Sequence, residues 1–316
     1  MVTSPRVVVL YGTKGGSCKT SHCGNLGALC ADAGLRTLLV DADPQGSLGS
    51  FYVLRNEAPY GFVELVQRTQ PLEECVSQTV HEGLDVVVGN EFERRLEMWI
   101  QGATNRGAAL RVALAPARER YDVIIVDTQG AEGMAKAQEL ALRAADYVLM
   151  PVVPDALVVR ELTHNAFSLL DRLQPMDGDD SVRRIPPPHV VISRVKPRGR
   201  SHRVFVDGLT QWLDEAQEAG RAVLLQTQIP ESVAYNDAQS VSPTVPAHRF
   251  DRTPRRDQLI PCAAESMVSL ASEVWPEFAE QFARFMPSEA KIDGDVQAGD
   301  RPAVALDVVA DERGHL

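Results

Sequence analysis

Several things are scarce or missing in this sequence, and each absence excludes a class of protein. No apolar run approaches the about 20 residues that a bilayer crossing requires. The opening stretch, MVTSPRVVVLYG, lacks the basic start and long apolar segment of an export signal, so a cytoplasmic chain is expected. Cysteine is sparse: Cys18, Cys23, Cys30, Cys75 and Cys262 form no C-x-x-C pair and stand near no histidine at zinc spacing. A disulfide framework and a structural zinc are therefore not expected, and a reducing compartment suits the chain. Cys75 alone lies between Cys30 and Cys262, too few for iron–sulfur ligation mid-chain. There is no excess of positive charge either. A net charge of -11 argues against a constitutive nucleic-acid coat and leaves room only for a local basic patch. The acidic, irregular C-terminal stretch is not a basic amphipathic helix, so no membrane-surface anchor is expected. No repeat occurs at a solenoid period, and no helix-turn-helix segment precedes the first apolar run.

What is present is a rhythm. Strand-length apolar runs bounded by turn residues recur at 7–11, 36–41, 84–88, 123–127, 147–152, 189–193 and 222–226. Helix-compatible stretches such as 21–33, 132–144 and 157–173 lie between them. That alternation predicts an α/β fold with a doubly wound, mainly parallel sheet flanked by helices. Runs such as VVVL, TLLV and VIIV are apolar on both faces, as central parallel strands are, which puts the ligand at their C-terminal ends. The Pro- and Arg-rich segments 183–203 and 243–256 interrupt the rhythm and are expected on the surface. The expected organisation is one domain, 1–286, with a disordered acidic tail over 287–316.

The first strand runs directly into GTKGGSCKTS, residues 12–21, and then a helical stretch. Strand, glycine-rich loop and helix are the context a phosphate cradle needs. Gly15 and Gly16 let backbone N–H groups point inward, and the helix N-terminus adds its positive dipole end. Lys19 then reaches the β- and γ-phosphates and the Thr20 hydroxyl coordinates magnesium, with Ser17, Cys18 and Ser21 completing the ATP-binding loop. Cys18 departs from the glycine usual before the phosphate lysine. If that position demands a positive φ, its Cβ adds strain of roughly 1 kcal/mol. Asp41 and Asp43 end the second strand, where two carboxylates are costly unless a cation or solvated site receives them. The run YDVIIVDTQGAEG ends an apolar strand on Asp127, a candidate to hold magnesium through water.

The second loop lysine, Lys14, together with Asp41-Ala42-Asp43-Pro44-Gln45, resembles the ParA/MinD family of deviant Walker A P-loop ATPases, within the SIMIBI-like P-loop NTPases, and specifically the ParA partition proteins. The resemblance extends from about residue 7 to about 285, although its specific motifs are short. It implies that Lys14 crosses an ATP-sandwiched homodimer interface to the partner subunit's phosphates, coupling nucleotide to dimerisation. It implies also that Asp43 orients the attacking water, that Asp41 supports the magnesium shell, and that Pro230 and Ser232 of IPESVAYNDAQS lie on the adenine side. Many family members read D-x-P-P where this chain reads Asp127-Thr128-Gln129-Gly130, which leaves the geometry of that switch segment open.

Residues 183–203 carry seven Lys/Arg and no Asp/Glu, and Arg249, Arg252, Arg255 and Arg256 form a second basic cluster. Arg194, Lys196, Arg198, Arg200, Arg203, Arg252, Arg255 and Arg256 are thus candidates for salt-sensitive phosphate contacts without base readout; a solvated basic loop is the plainer alternative. The resemblance implies non-specific DNA binding by the ATP dimer, a ParB-like centromere-binding partner that stimulates hydrolysis, nucleoid association and no membrane. Two other readings share the same residues: a ParA-like ATPase positioning a cargo other than a replicon, and a nucleotide-binding scaffold with negligible hydrolysis.

Overall fold

The computed structural model describes residues 7–12, 14–43, 46–90, 95–101, 107–130, 135–175, 183–196, 200–235, 245–253 and 261–287. Of the expected tail, 288–316 lies outside these.

Nine strands of the described residues form one sheet: β1 (Val7–Leu10), β2 (Thr37–Asp41), β3 (Leu54–Asn56), β4 (Ser77–Thr79), β5 (Leu84–Val87), β6 (Val123–Asp127), β7 (Tyr147–Val152), β8 (Pro188–Val195) and β9 (Val223–Pro230). Their order is β3-β4-β5-β2-β6-β1-β7-β8-β9. Every pairing from β5 to β9 is parallel, and β3 and β4 continue one edge antiparallel. All residues of β1, β2, β6 and β7 are buried, because helices cover both faces.

One face is covered by α1 (Lys19–Asp32) and by a C-terminal helix, Ala263–Val274, whose Val268, Leu270 and Ala271 share a core with Leu26, Leu29 and Leu39. On the other face, Leu140 of helix Ala135–Ala144, Phe167 and Leu170, and Leu213 of helix Arg200–Glu218 pack against Val9, Leu38 and Val148. Fold class and strand positions thus follow the apolar runs. β3 and β4 escape sequence pattern because LRN and SQT are short and largely polar and take their place from neighbours. Within the basic segment, the chain from residue 200 enters the helix Arg200–Glu218, whose buried Leu209 and Leu213 recur at helical spacing. Among the described residues no helix is long and apolar enough to cross a membrane.

Candidate nucleotide site

β1 delivers the chain to Gly12 at the C-terminal edge of the sheet, and residues 14–18 turn it into α1. Gly16 sits at φ 74° and Cys18 at φ 68°, both left-handed. The residue before Lys19 therefore does carry the Cβ strain that its sequence position suggested, about 1 kcal/mol. Lys19 is buried, and its Nζ donates to Ser17 Oγ and to the Lys14 carbonyl, each at 3.2 Å. Burial lowers the pKa of its ammonium, opposed by the carboxylates of Asp127 and Asp43. Gly15 has nothing within 4 Å of where a Cβ would stand, leaving the loop's outer face open.

The β2–β6 register sets Asp41 opposite Asp127. Thr20 Oγ1 donates to Asp127 Oδ2 at 2.6 Å, while the buried Oδ1 of Asp127 has no partner. Burial pushes Asp127 up to about 7, with Asp41 and Asp43 adding to the rise and the Thr20 bond opposing it. Asp41 accepts the Asp43 N–H at 3.1 Å on Oδ1, and those of Leu48 and Gly49 at 2.9 and 3.0 Å on Oδ2. Burial nonetheless lifts it to about 6. Two fully buried acids side by side, one with an orphaned oxygen next to a threonine hydroxyl, fit a hard divalent cation. Asp127 and Thr20 could ligate it, and Asp41, whose two oxygens already accept backbone N–H groups, could support that shell. Among the described residues no group of three His, Cys, Asp or Glu encloses a metal alone, so such a cation would need further oxygens from outside the chain. Asp43 lies half-buried beyond this pair; Pro44 and Gln45 are outside the described residues.

Lys14 is half-exposed at the loop's outer edge and ion-pairs with Asp155, in the connection after β7. Burial raises Asp155, but the Lys14 bond and the Leu157 N–H outweigh it and hold the carboxyl below its usual range. The segment after Asp127 closes over the loop. Thr128 Oγ1 donates to the Leu10 carbonyl at 2.7 Å, and a Cβ on Gly130 would fall 2.5 Å from Lys19 Nζ.

Pro230 and Ser232 come together with Cys18, Ser21, His22 and Arg194 around one cleft beside the phosphate loop. Arg194 thereby stands at this cleft, its guanidinium on Glu231 at 2.7 Å, with Lys196 Nζ 3.7 Å from the same residue. Arg200 opens the helix Arg200–Glu218, and Arg203 is exposed on it. Arg252 is exposed after a short helix, Ala247–Phe250. Arg198, Arg255 and Arg256 lie outside the described residues. Sequence reasoning did not single out Asp155, Gly130 as a contact, or His22. An aspartate after a strand, a glycine and a helical histidine carry no signal until the fold sets them beside the loop.

The fold and the loop define a P-loop nucleotide-binding protein, and comparison places it more narrowly. The AAA-domain family matches residues 5–171, more than half of the chain. The chain belongs to that family, among its ParA/MinD-type ATPases. It is 33% identical over 177 residues to the chromosome partitioning protein ParA of Myxococcus xanthus, covering 55% of this chain and 62% of that one. The chain spans between about half and two thirds of the length of the curated relatives it matches. Its fold is similar to that of a Cyanothece McdA–ATP complex (TM-score 0.62, 17% identity, 89% of this chain and 94% of that chain). It is similar also to Mycobacterium smegmatis cobyrinic acid a,c-diamide synthase with bound ATP analogue and magnesium (TM-score 0.58, 22% identity, 74% and 93%).

Proposed function

We propose that this chain is an ATP-dependent dimerising switch that binds DNA non-specifically and hydrolyses ATP under partner stimulation to segregate plasmid or chromosomal DNA. The observation that carries the reading is the pairing of a buried Lys19 with a second, half-exposed Lys14 on one loop, beside the orphaned oxygen of Asp127. Lys19 and the backbone of residues 14–18 bind triphosphate, while Thr20 and Asp127 hold magnesium, whose role is to neutralise phosphate charge. Asp43 orients the hydrolytic water and Asp41 fixes the backbone that carries it, through its bonds to the N–H groups of 43, 48 and 49. Lys14 leaves Asp155 to reach the partner subunit's phosphates, and residues 1–286 act as one ATPase unit. A ParB-like partner and the nucleoid complete the cycle in the cytoplasm.

A second reading has a specific observation in its favour. Glu231 pairs with both Arg194 and Lys196 and offsets one of their two positive charges, which weakens the basic segment as a DNA surface and suits a ParA-like ATPase positioning another cargo.

Size-exclusion chromatography with light scattering, with ADP and with Mg-ATP, separates the readings when DNA is added at low and high salt. The switch predicts an ATP-dependent dimer that binds DNA at low salt, is strengthened by Asp43→Ala and is lost in Lys14→Ala. A dimer indifferent to DNA favours the other cargo, and a nucleotide-indifferent monomer overturns the switch.

A further inference from the structure

Two clefts flank the phosphate loop, and Arg194 is the one residue that lines both. One lies on the Lys14 side, against Gly12 and the loop backbone. The other, of about 390 Å³, lies on the side of Cys18, Ser21, Pro230 and Ser232. That second volume is within the roughly 300–1,000 Å³ typical of small-molecule sites. The Arg194 side chain is 49% exposed, so its guanidinium is open to a ligand entering the cleft.

The backbone is bent to put it there. Arg194 sits at φ 57°, where β8 and β9 change register between Ser193 and Val195. A bulge re-aims a side chain, and a residue other than glycine held left-handed is strained. Of the three such residues among the described ones, Cys18 and Arg194 both line this cleft. Strain of this kind collects at ligand sites, where the surrounding fold maintains it. The present partner of Arg194 is replaceable. The guanidinium donates to Glu231 Oε1 at 2.7 Å, with both side chains more than a third exposed, and pairs so exposed hold weakly. Lys196 Nζ stands 3.7 Å from Glu231 Oε2, so the carboxylate keeps a cation if Arg194 moves away.

We infer that Arg194 clasps the α-phosphate of the bound nucleotide, exchanging the Glu231 carboxylate for it. This rests on the nucleotide reading above and deepens it. Lys19 and the loop take the β- and γ-phosphates, and Pro230 and Ser232 are the candidates for the adenine side. What joins those two ends of the nucleotide is the ribose and the α-phosphate, of which only the phosphate is charged. A guanidinium standing between the two clefts matches it, being planar, always charged and able to bond two phosphate oxygens at once. Arg194 thereby belongs to the nucleotide and not to the phosphates of DNA.

The test is isothermal titration of the full chain with Mg-ATP and with Mg-ADP, both of which carry the α-phosphate. Asparagine tolerates a left-handed backbone, so Arg194→Asn removes the cation without new strain and is expected to weaken both nucleotides about tenfold. Arg194→Lys keeps the charge but not the fork, and a deficit of about threefold is expected to remain. Glu231→Gln releases the guanidinium beforehand and is expected to strengthen both nucleotides about threefold, a gain that disappears in the Arg194→Asn background. Thermal melts without nucleotide establish that each variant is folded; should Arg194→Asn fail to fold, Arg194→Lys and Glu231→Gln carry the test. A folded Arg194→Asn variant that binds as the wild type does overturns the inference. So does full recovery by lysine, which leaves only a diffuse charge effect. A loss confined to ATP puts the guanidinium on the γ-phosphate and overturns the assignment. Weaker binding in Glu231→Gln makes the pair a structural strut and overturns it too. A wild type that binds neither nucleotide overturns the nucleotide reading itself.

Discussion

Gly130 rests directly on Lys14: a Cβ added at 130 would stand 2.6 Å from the Lys14 carbonyl oxygen. The segment that follows the Asp127 strand is thus in contact with the phosphate loop, and only a glycine permits so close an approach. Gly130→Ala must displace the segment or the loop. The expected result is a fall of about tenfold in Mg-ATP affinity, with a stability loss of about 1–3 kcal/mol from overpacking. Calorimetric titration and urea unfolding measure the two. An alanine variant with unchanged affinity would show that the contact is dispensable.

Cys18 holds a left-handed φ that glycine adopts freely. Cys18→Gly relieves the Cβ strain, although glycine also loosens the unfolded chain. Strain relief of about 1 kcal/mol less that entropy cost leaves a net gain of at most about 0.5 kcal/mol, or roughly 1 °C in melting temperature for a chain of this size. Differential scanning calorimetry detects it.

Asp127 and Asp41, lifted by burial to about 7 and about 6, hold protons in the folded chain that the unfolded chain has released. Folded pKa values above unfolded ones mean that the unfolded state binds fewer protons. Stability of the cation-free protein therefore falls as pH rises from about 4 through about 7. Asp127→Asn removes the larger part of that slope. In chelator it is expected to stabilise the chain by about 1–3 kcal/mol at about pH 8, while abolishing the magnesium dependence of nucleotide binding. Thermal melts from acid to mildly basic pH check the first expectation, and titration with and without magnesium checks the second.

Away from the nucleotide cleft, Asp32 at the end of α1 accepts from His81 Nε2 and His248 Nε2, each at 2.7 Å, and from Arg249. It ties the first helix to the turn between β4 and β5 and to the helix Ala247–Phe250. Burial raises its carboxyl, but bonds from His248, His81 and Arg249 outweigh burial and hold it well below the usual range. The stability it contributes is present above the ordinary carboxylate pKa of about 4 and is lost as pH falls below it. Asp32→Asn keeps one acceptor oxygen and turns an NH2 donor toward the other imidazole N–H, leaving that buried histidine without an acceptor. With Arg249 about half-exposed, a cost of about 2–3 kcal/mol is expected, read by urea unfolding at neutral pH.

Much of the molecule was legible before its coordinates. A parallel strand buried on both faces must be apolar throughout, so VVVL, VIIV and YVLMPV announce the sheet one strand at a time. The phosphate loop is equally local: Gly15, Gly16, Lys19 and Thr20 act through spacing along a single strand, turn and helix. The three-residue strands β3 and β4, the helix Arg200–Glu218 within a basic stretch and the pairing of Arg194 with Glu231 were not legible. Each depends on what the fold brings alongside, not on neighbours in the chain.

The sequence by itself determined the fold class, the positions of the buried central strands and the identity of the loop, because these rest on local pattern and on contacts between residues close in the chain. Tertiary structure alone decided that Asp41 faces Asp127, that Asp155 holds Lys14, that Gly130 touches the loop and that His22 meets Ser193. Those pairs are brought together by parallel crossovers over tens to well over a hundred residues. A crossover buries two distant side chains against each other without leaving any pattern near either one.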